Sequence, residues 1–365
     1  MCRCLLFSLS LLSAVSTPAQ QSSSPAQPNI NGLYLDVVAT PKSGLPVSGL
    51  QQQDFTLLDN KVPQNITSFA ALDGRHASVD VIIVMDAVNA DYHTVAYERN
   101  QIDKFLRADR GDLTHAVSLV VLTDTGIEAL ADFSKDGNSL ATTLDRYTVG
   151  LRFLNRTGGF YGAAERFQIS LEGLHELVRR DGARPGRKLM IWASPGWPLL
   201  SGPEVEVDSR EQRQLFADIV SFSRDFLQNQ ITLYSVDPLG TNESIVRDTY
   251  WETFVKGVSK PSQVLPGDLG LQVLATQSGG VVLNSNNDIS ALLQTCLADT
   301  RAYYELSFDP PAGDEPDQYH HLEIRIAKAG ISGRTRQGYY SRPTLGWEPM
   351  NPVPVQAGHV GGGPR

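Results

Sequence analysis

The stretch Val79–Ala90 (Val-Asp-Val-Ile-Ile-Val-Met-Asp-Ala-Val-Asn-Ala) constrains this chain more than any other. A short apolar run rich in Val and Ile predicts a strand buried on both faces, the environment of a parallel sheet. Asp86 closes the run. The reading therefore puts a carboxylate at the strand's carboxyl end, where open α/β sheets hold their ligands.

Strands and helices alternate downstream. Helical spacing marks 95–107, with Ile102, Phe105 and Leu106 on one face, and marks 163–180 with Ile169, Leu171, Leu174, Leu177 and Val178. Further helices are expected around 140–147, 211–228, 269–276 and 289–298. Strands are expected at 116–123, 127–133, 188–193, 231–236 and 281–284. Asp124-Thr125-Gly126 reads as a hairpin turn, so one antiparallel strand is expected at a sheet edge. Ser209-Arg210-Glu211-Gln212 reads as a capping box that starts one helix. This alternation predicts an α/β fold: a Rossmann-like, mostly parallel sheet covered by helices on both faces. The flanks differ, because period-two patterns at 33–38, 55–58 and 66–69 and again at 304–308, 321–326 and 335–340 predict β structure.

The expected organisation is a signal peptide over 1–19, a linker over 20–29 and an N-terminal β module over 30–75. The α/β domain follows over 76–300. A C-terminal β segment over 301–342 is expected to join the first β module, and a Pro/Gly-rich, disordered tail runs over 343–365. The leader reading rests on Arg3, the apolar run Leu5–Val15 and small residues near Ala19, too short to span a membrane. It implies export to the periplasm or beyond the cell, with no integral membrane segment afterwards. The formal charge of -9 and the lack of a basic cluster argue against nucleic acid as a partner. Without the leader Cys296 is the one remaining cysteine, and its helical setting (Leu292, Leu293, Leu297) predicts a buried small hydrophobe.

The central pattern resembles the von Willebrand factor type A domain. The flanks sharpen the likeness: Pro46-Val47-Ser48-Gly49-Leu50 before Asp54-Phe55-Thr56-Leu57-Leu58-Asp59-Asn60, then Pro63–Phe69, Tyr303-Tyr304-Glu305-Leu306 and Arg336-Gln337-Gly338-Tyr339-Tyr340 look like the bacterial VWFA-related domain proteins. The resemblance covers about residues 30–342. It implies ligand binding at the sheet's carboxyl end through a metal-ion-dependent adhesion site, built from Asp-x-Ser-x-Ser, a Thr in a second loop and an Asp in a third. Here Asp86 matches, but Val88 and Ala90 replace both Ser, Phe160 stands at the second-loop position unless Thr157 shifts in, and Pro195 stands at the third. Mg²⁺ requires hard oxygen donors, and only Asp86, Asn89 and Ser194 remain as candidates. The expectation is a degenerate site without a cofactor, in which Asp86 accepts hydrogen bonds from loop N–H groups.

The same end of the sheet should carry the loop aromatics Phe160, Tyr161, Trp197 and Trp251, and large aromatic side chains dominate protein-binding surfaces. The leading functional expectation is non-catalytic recognition of a protein partner. The alternatives are Mg²⁺-dependent adhesion at Asp86 and a hydrolase whose site carries no familiar motif, since no Gly-x-Ser-x-Gly, phosphate loop or His-Glu-x-x-His occurs. His320-His321 with Asp317 is a weak metal pattern, because neighbouring strand residues face opposite sides, and both histidines are expected to be exposed. Asp237-Pro238 is expected to form a turn. Asn65, Asn155 and Asn242 begin glycosylation sequons.

Overall fold

The computed structural model describes residues 32–42, 44–73, 78–147, 159–200, 207–240, 249–311 and 315–341. The expected leader, linker and tail lie outside them, as do Thr157 and the sequons at Asn155 and Asn242.

A six-stranded sheet forms the centre, with β5 (Val79–Asp86), β6 (Asp112–Thr123), β7 (Gly126–Asp136), β8 (Arg187–Ala193), β9 (Ile231–Val236) and β10 (Val282–Leu283). Its order is β10-β9-β8-β5-β6-β7, parallel throughout except for β7, which pairs antiparallel with β6 at the edge. Every residue of β5 is buried. The alternation of strand side chains divides them between two layers. Ile82 and Val84 join Val120, Leu122, Met190, Trp192 and Leu233 on one face. Val81, Ile83 and Met85 join Leu119, Val121, Leu189, Ile191 and Val236 on the other.

Helices cover both faces because each carries an apolar stripe. The first face packs against α3 (Gly159–Asp181) through Phe167, Leu171, Leu174 and Leu177, against α4 (Ser209–Gln228) through Ile219, Phe222 and Phe226, and against α5 (Leu271–Gln277) through Leu274. The second packs against α1 (Tyr92–Leu106), α2 (Gly137–Arg146) and α6 (Ile289–Ala298) through Ile102, Phe105, Leu140, Leu144, Leu292 and Leu293. Gly173 lets α3 lie close to the sheet: a Cβ there would stand 2.6 Å from Leu122 Cδ1. Cys296 is buried in the second layer, and burial pushes its thiol up out of the reactive range.

The capping box of α4 sits one residue earlier than its sequence suggests. Asp208, not Ser209, is the N-cap: its carboxylate accepts from Arg210 N and Glu211 N, and Glu211 accepts from Asp208 N. A carboxylate gains more than a hydroxyl from the positive end of the helix, so Asp208 takes the cap.

Eight further strands form the flanking β module: β1 (Leu33–Pro41), β2 (Phe55–Asp59), β3 (Val62–Gln64), β4 (Ile66–Asp73), β11 (Ala302–Phe308), β12 (Tyr319–Ile326), β13 (Ile331–Arg334) and β14 (Gly338–Tyr340). They make two four-stranded antiparallel sheets, one in the order β13-β1-β11-β4 and the other β14-β12-β2-β3. β11 lies between β1 and β4, so the two flanks share one core of Leu35, Val37, Leu57, Tyr304, Leu306, Phe308 and Ile324.

Arg187, at the start of β8, ties this module to the central sheet. Its fully buried guanidinium lies 3.2 Å from Asp36 of β1 and 4.4 Å from the Tyr303 ring centre, and it donates to the Asp299 carbonyl. Asp299 also accepts from Tyr234 and Arg334. Within the β module His320 corrects its expectation. It is buried, its Nδ1 sits 2.9 Å from Asp59 Oδ1, and Tyr339 donates to Asp59 Oδ2 at 2.6 Å. His321 is exposed on the opposite side of the strand, and Asp317 pairs with Arg224 instead. The partners Asp59 and Tyr339 come from other strands, so the pattern around His320 held no sign of them.

Candidate recognition face at the carboxyl end of the central sheet

Chain order reverses at β5: β6 is laid down on one side of it and β8 on the other. The crevice at the carboxyl ends of β5 and β8 is therefore the topological switch point, the place where such sheets hold ligands. Here side chains of the protein fill it. Asp86 is fully buried, and its Oδ1 accepts from Val88 N at 3.0 Å and Asn89 N at 2.8 Å. Oδ2 accepts from Asn89 Nδ2 at 2.9 Å and from Trp192 Nε1 at 3.1 Å. A carboxylate offers about four lone-pair sites, and these donors occupy all of them. Asn89 Nδ2 also donates to Ser170 on α3 at 2.8 Å, and the Ser170 hydroxyl donates in turn to the Arg166 carbonyl.

The expected metal donors Asp86, Asn89 and Ser194 do not fit Mg²⁺. The ion requires oxygen ligands at about 2.0–2.1 Å, whereas Asn89 turns its amide nitrogen, not its buried and unpartnered Oδ1, toward Asp86. Ser194 is buried and its Oγ accepts from Gly196 N. Among the described residues no cluster of three or more His, Cys, Asp or Glu is arranged to hold a metal ion. Asp86 organises the loop after β5 and fastens it to β8. Asp237 at the end of β9 accepts from Leu239 N at 2.8 Å, the turn geometry its sequence implies.

Glu98 is the buried group that the motifs do not mark. It lies on α1, fully buried, and neither carboxyl oxygen has a hydrogen-bond partner. Burial, followed by the charges of Asp86, Asp237 and Asp91, raises its pKa well above the usual carboxylate range. Burial therefore favours the protonated, neutral form of this carboxyl. Its signal was in the helical phase: Glu98 follows Val95 by one turn and precedes Ile102 by another, placing it on the apolar face.

The four aromatic candidates separate. Trp197 is 3% exposed and packs edge-on against Trp192, with ring centres 5.3 Å apart, so it is core and not recognition surface. It belongs to the same core cluster as Val264 and Leu269 of the long β9–α5 connection. Trp251 is half-buried in a short 3₁₀ turn. Phe160 and Tyr161, at 44% and 84% exposure, remain on the surface. They sit in the first turn of α3. Ser170 of that helix meets Asn89 just past the end of β5, so at 1.5 Å per residue Phe160 stands about 15 Å farther along the helix axis. Tyr92, Leu239 and Tyr250, three further exposed large apolar side chains, follow the carboxyl ends of β5 and β9. Sequence reasoning marked the loop run that holds Tyr250 but missed Tyr92 and Leu239.

No protein-family model matches the chain, and no curated protein matches it. Among solved structures it is similar to proximal thread matrix protein 1 from the mussel byssus, at 13% identity and a TM-score of 0.30 over 62% of this chain and 49% of that one. The chain thus spans about half the length of that protein. It is also similar to BatB from Bacteroides thetaiotaomicron (11% identity, TM-score 0.31, 61% of this chain and 97% of that one) and to the SpRpn10 VWA domain (9% identity, TM-score 0.30, again 61% and 97%). Likeness at this level identifies neither a family nor an activity.

Proposed function

We propose that this chain is an exported, type A-like protein that recognises another protein through the carboxyl end of its central sheet, without a metal ion and without catalysis. The observation that carries the reading is where the exposed apolar side chains lie. Of the eight large apolar side chains exposed among the described residues, Tyr92 and Leu239 follow directly on the carboxyl ends of β5 and β9, and Phe160 and Tyr161 stand on the projecting tip of α3. Exposed apolar groups gathered in this way mark interaction sites, and Tyr supplies stiff contact area at low entropic cost. A mostly parallel sheet with one antiparallel edge strand and a carboxylate closing its central strand supports the type A-like assignment. The apolar leader pattern supports export.

The test is a comparison of wild type with Phe160→Ser/Tyr161→Ser, each immobilised and exposed to envelope extract. A partner retained by wild type and lost by a folded variant supports the reading; equal retention refutes it. Calorimetric titration of Mg²⁺ into wild type and Asp86→Asn adds the second arm. Saturable heat that disappears in Asp86→Asn would replace metal-free recognition with metal-dependent adhesion.

A further inference from the structure

A cavity lies at the other end of the central sheet, where the chain passes between the α/β domain and the β module. It encloses about 660 Å³, within the range of small-molecule sites. Both crossing segments line it, Asp73 at the end of β4 and Thr300–Ala302 leading into β11, together with the turn from α1 into β6. Pockets favour such junctions.

Its chemistry is directional. Phe105, Val117 and Ala302 are buried and make an apolar floor. Asp73, Asp109 and Asp112 bring three exposed carboxylates to its lining and Arg301 one exposed guanidinium. Asp109 is held there by a strained turn in which Asp109, Arg110 and Gly111 take φ of 48°, 65° and 81° in succession. Non-glycine residues adopt that conformation at a cost of order 1 kcal/mol or more, and such strain gathers at functional sites.

His115, 6% exposed, completes the floor. The Thr300 hydroxyl donates its one proton to the Leu297 carbonyl at 2.7 Å. The 2.8 Å contact between His115 Nε2 and Thr300 Oγ1 must then run from the ring N–H to the hydroxyl oxygen. Burial, helped by Lys135 and Arg187, lowers the ring's pKa and keeps it neutral. Nδ1 is left as a lone-pair acceptor.

We infer that this junction cavity binds an organic cation: an ammonium group with N–H donors on an apolar stem, its charge met by Asp109 and Asp112, its N–H groups by His115 and its stem by Phe105 and Val117. A lysine side chain and a free polyamine share this chemistry. The site is remote from the proposed recognition face, so either can fail without the other.

The experiment titrates the full chain with 1,5-diaminopentane, with a short lysine-containing peptide and with hexanoate as an anionic control of similar stem length. Calorimetry reads affinity and the His115 imidazole resonances report location. Saturable binding of either amine, with shifts at His115, supports the inference. Binding of the diamine alone assigns a free amine, and binding of the peptide assigns a side chain. Asp109→Asn/Asp112→Asn should weaken it by about tenfold or more, corresponding to about 1.4 kcal/mol. Both residues are exposed, and Asn tolerates the φ at position 109, so the variant should fold. No saturation at low millimolar concentration, hexanoate binding as well as the amines, or full binding by the double variant overturns the inference.

Discussion

Replacing Glu98 with Gln should remove a pH dependence that the fold builds in. The carboxyl is fully buried, neither oxygen meets a donor, and Asp86, Asp237 and Asp91 add their fields to the desolvation that raises its pKa well above 4.5. Below the ordinary carboxylate pKa, folded and unfolded chains both hold the proton, and Glu98 imposes no ionisation penalty. Above it the unfolded chain releases the proton while the folded chain keeps it, so stability falls as pH rises. The slope for one proton is about 1.4 kcal/mol per pH unit, and it flattens once the folded-state pKa is passed. The glutamine amide has the same shape as the carboxyl and does not titrate. Urea unfolding of wild type and Glu98→Gln across about pH 4.5 to 8 should therefore show the variant gaining on wild type along that slope. Glu98→Met separates the second contribution. It removes both unsatisfied oxygens and should stabilise the protein by about 1–3 kcal/mol even at the acid end, where no charge is at stake. A difference between wild type and Glu98→Gln that stays flat with pH would show that Glu98 ionises freely in the folded state, and the reasoning would fail.

Other expectations follow from the same contacts. Trp192→Phe removes the indole donor to Asp86 and should cost about 1.5–3 kcal/mol, the worth of a hydrogen bond to a charged group, measured by chemical denaturation. Arg187→Met should cost about 3–5 kcal/mol, because it strands Asp36 in a buried setting; Arg187→Met/Asp36→Leu should recover much of that loss in a double-mutant cycle. Tyr161→Ser should leave the unfolding free energy within the range of surface substitutions, about ±0.5 kcal/mol in the same denaturant assay, because the side chain is 84% exposed. Trp197→Ala should cost about 3–5 kcal/mol through the cavity it leaves, and a cost near zero would contradict its placement in the core.

The legible part of this protein is the part governed by periodicity. Ile231–Val236 and Ile289–Ala298 fall where the apolar spacing puts them, and the Asp-Thr-Gly turn correctly marks β7 as an antiparallel edge. The cap of α4 slipped by one residue because Asp208 and Ser209 both satisfy the pattern, and only the charge on Asp208 distinguishes them. Glu98 could have been read, since its position on the stripe of α1 is a matter of phase. Trp197 could not. A tryptophan in a loop carries no sign of whether it will join the core.

Local spacing was enough to place a buried strand that ends in a carboxylate at the carboxyl end of a parallel sheet, because strand character follows from the pattern of apolar residues. The sequence also marked the loop N–H groups as donors to that carboxylate, but not the partners that come from elsewhere in the chain. Trp192 reaches Asp86 from 106 positions away, and Asn89 Nδ2, which donates to Asp86, donates also to Ser170 of α3. Those partners are neighbours in space and strangers in sequence. Tertiary packing added Trp192 and Ser170 to the local turn that Val88 and Asn89 already make with Asp86, and it alone decided that the exposed aromatic groups, rather than the carboxylate, meet the solvent at this end of the fold.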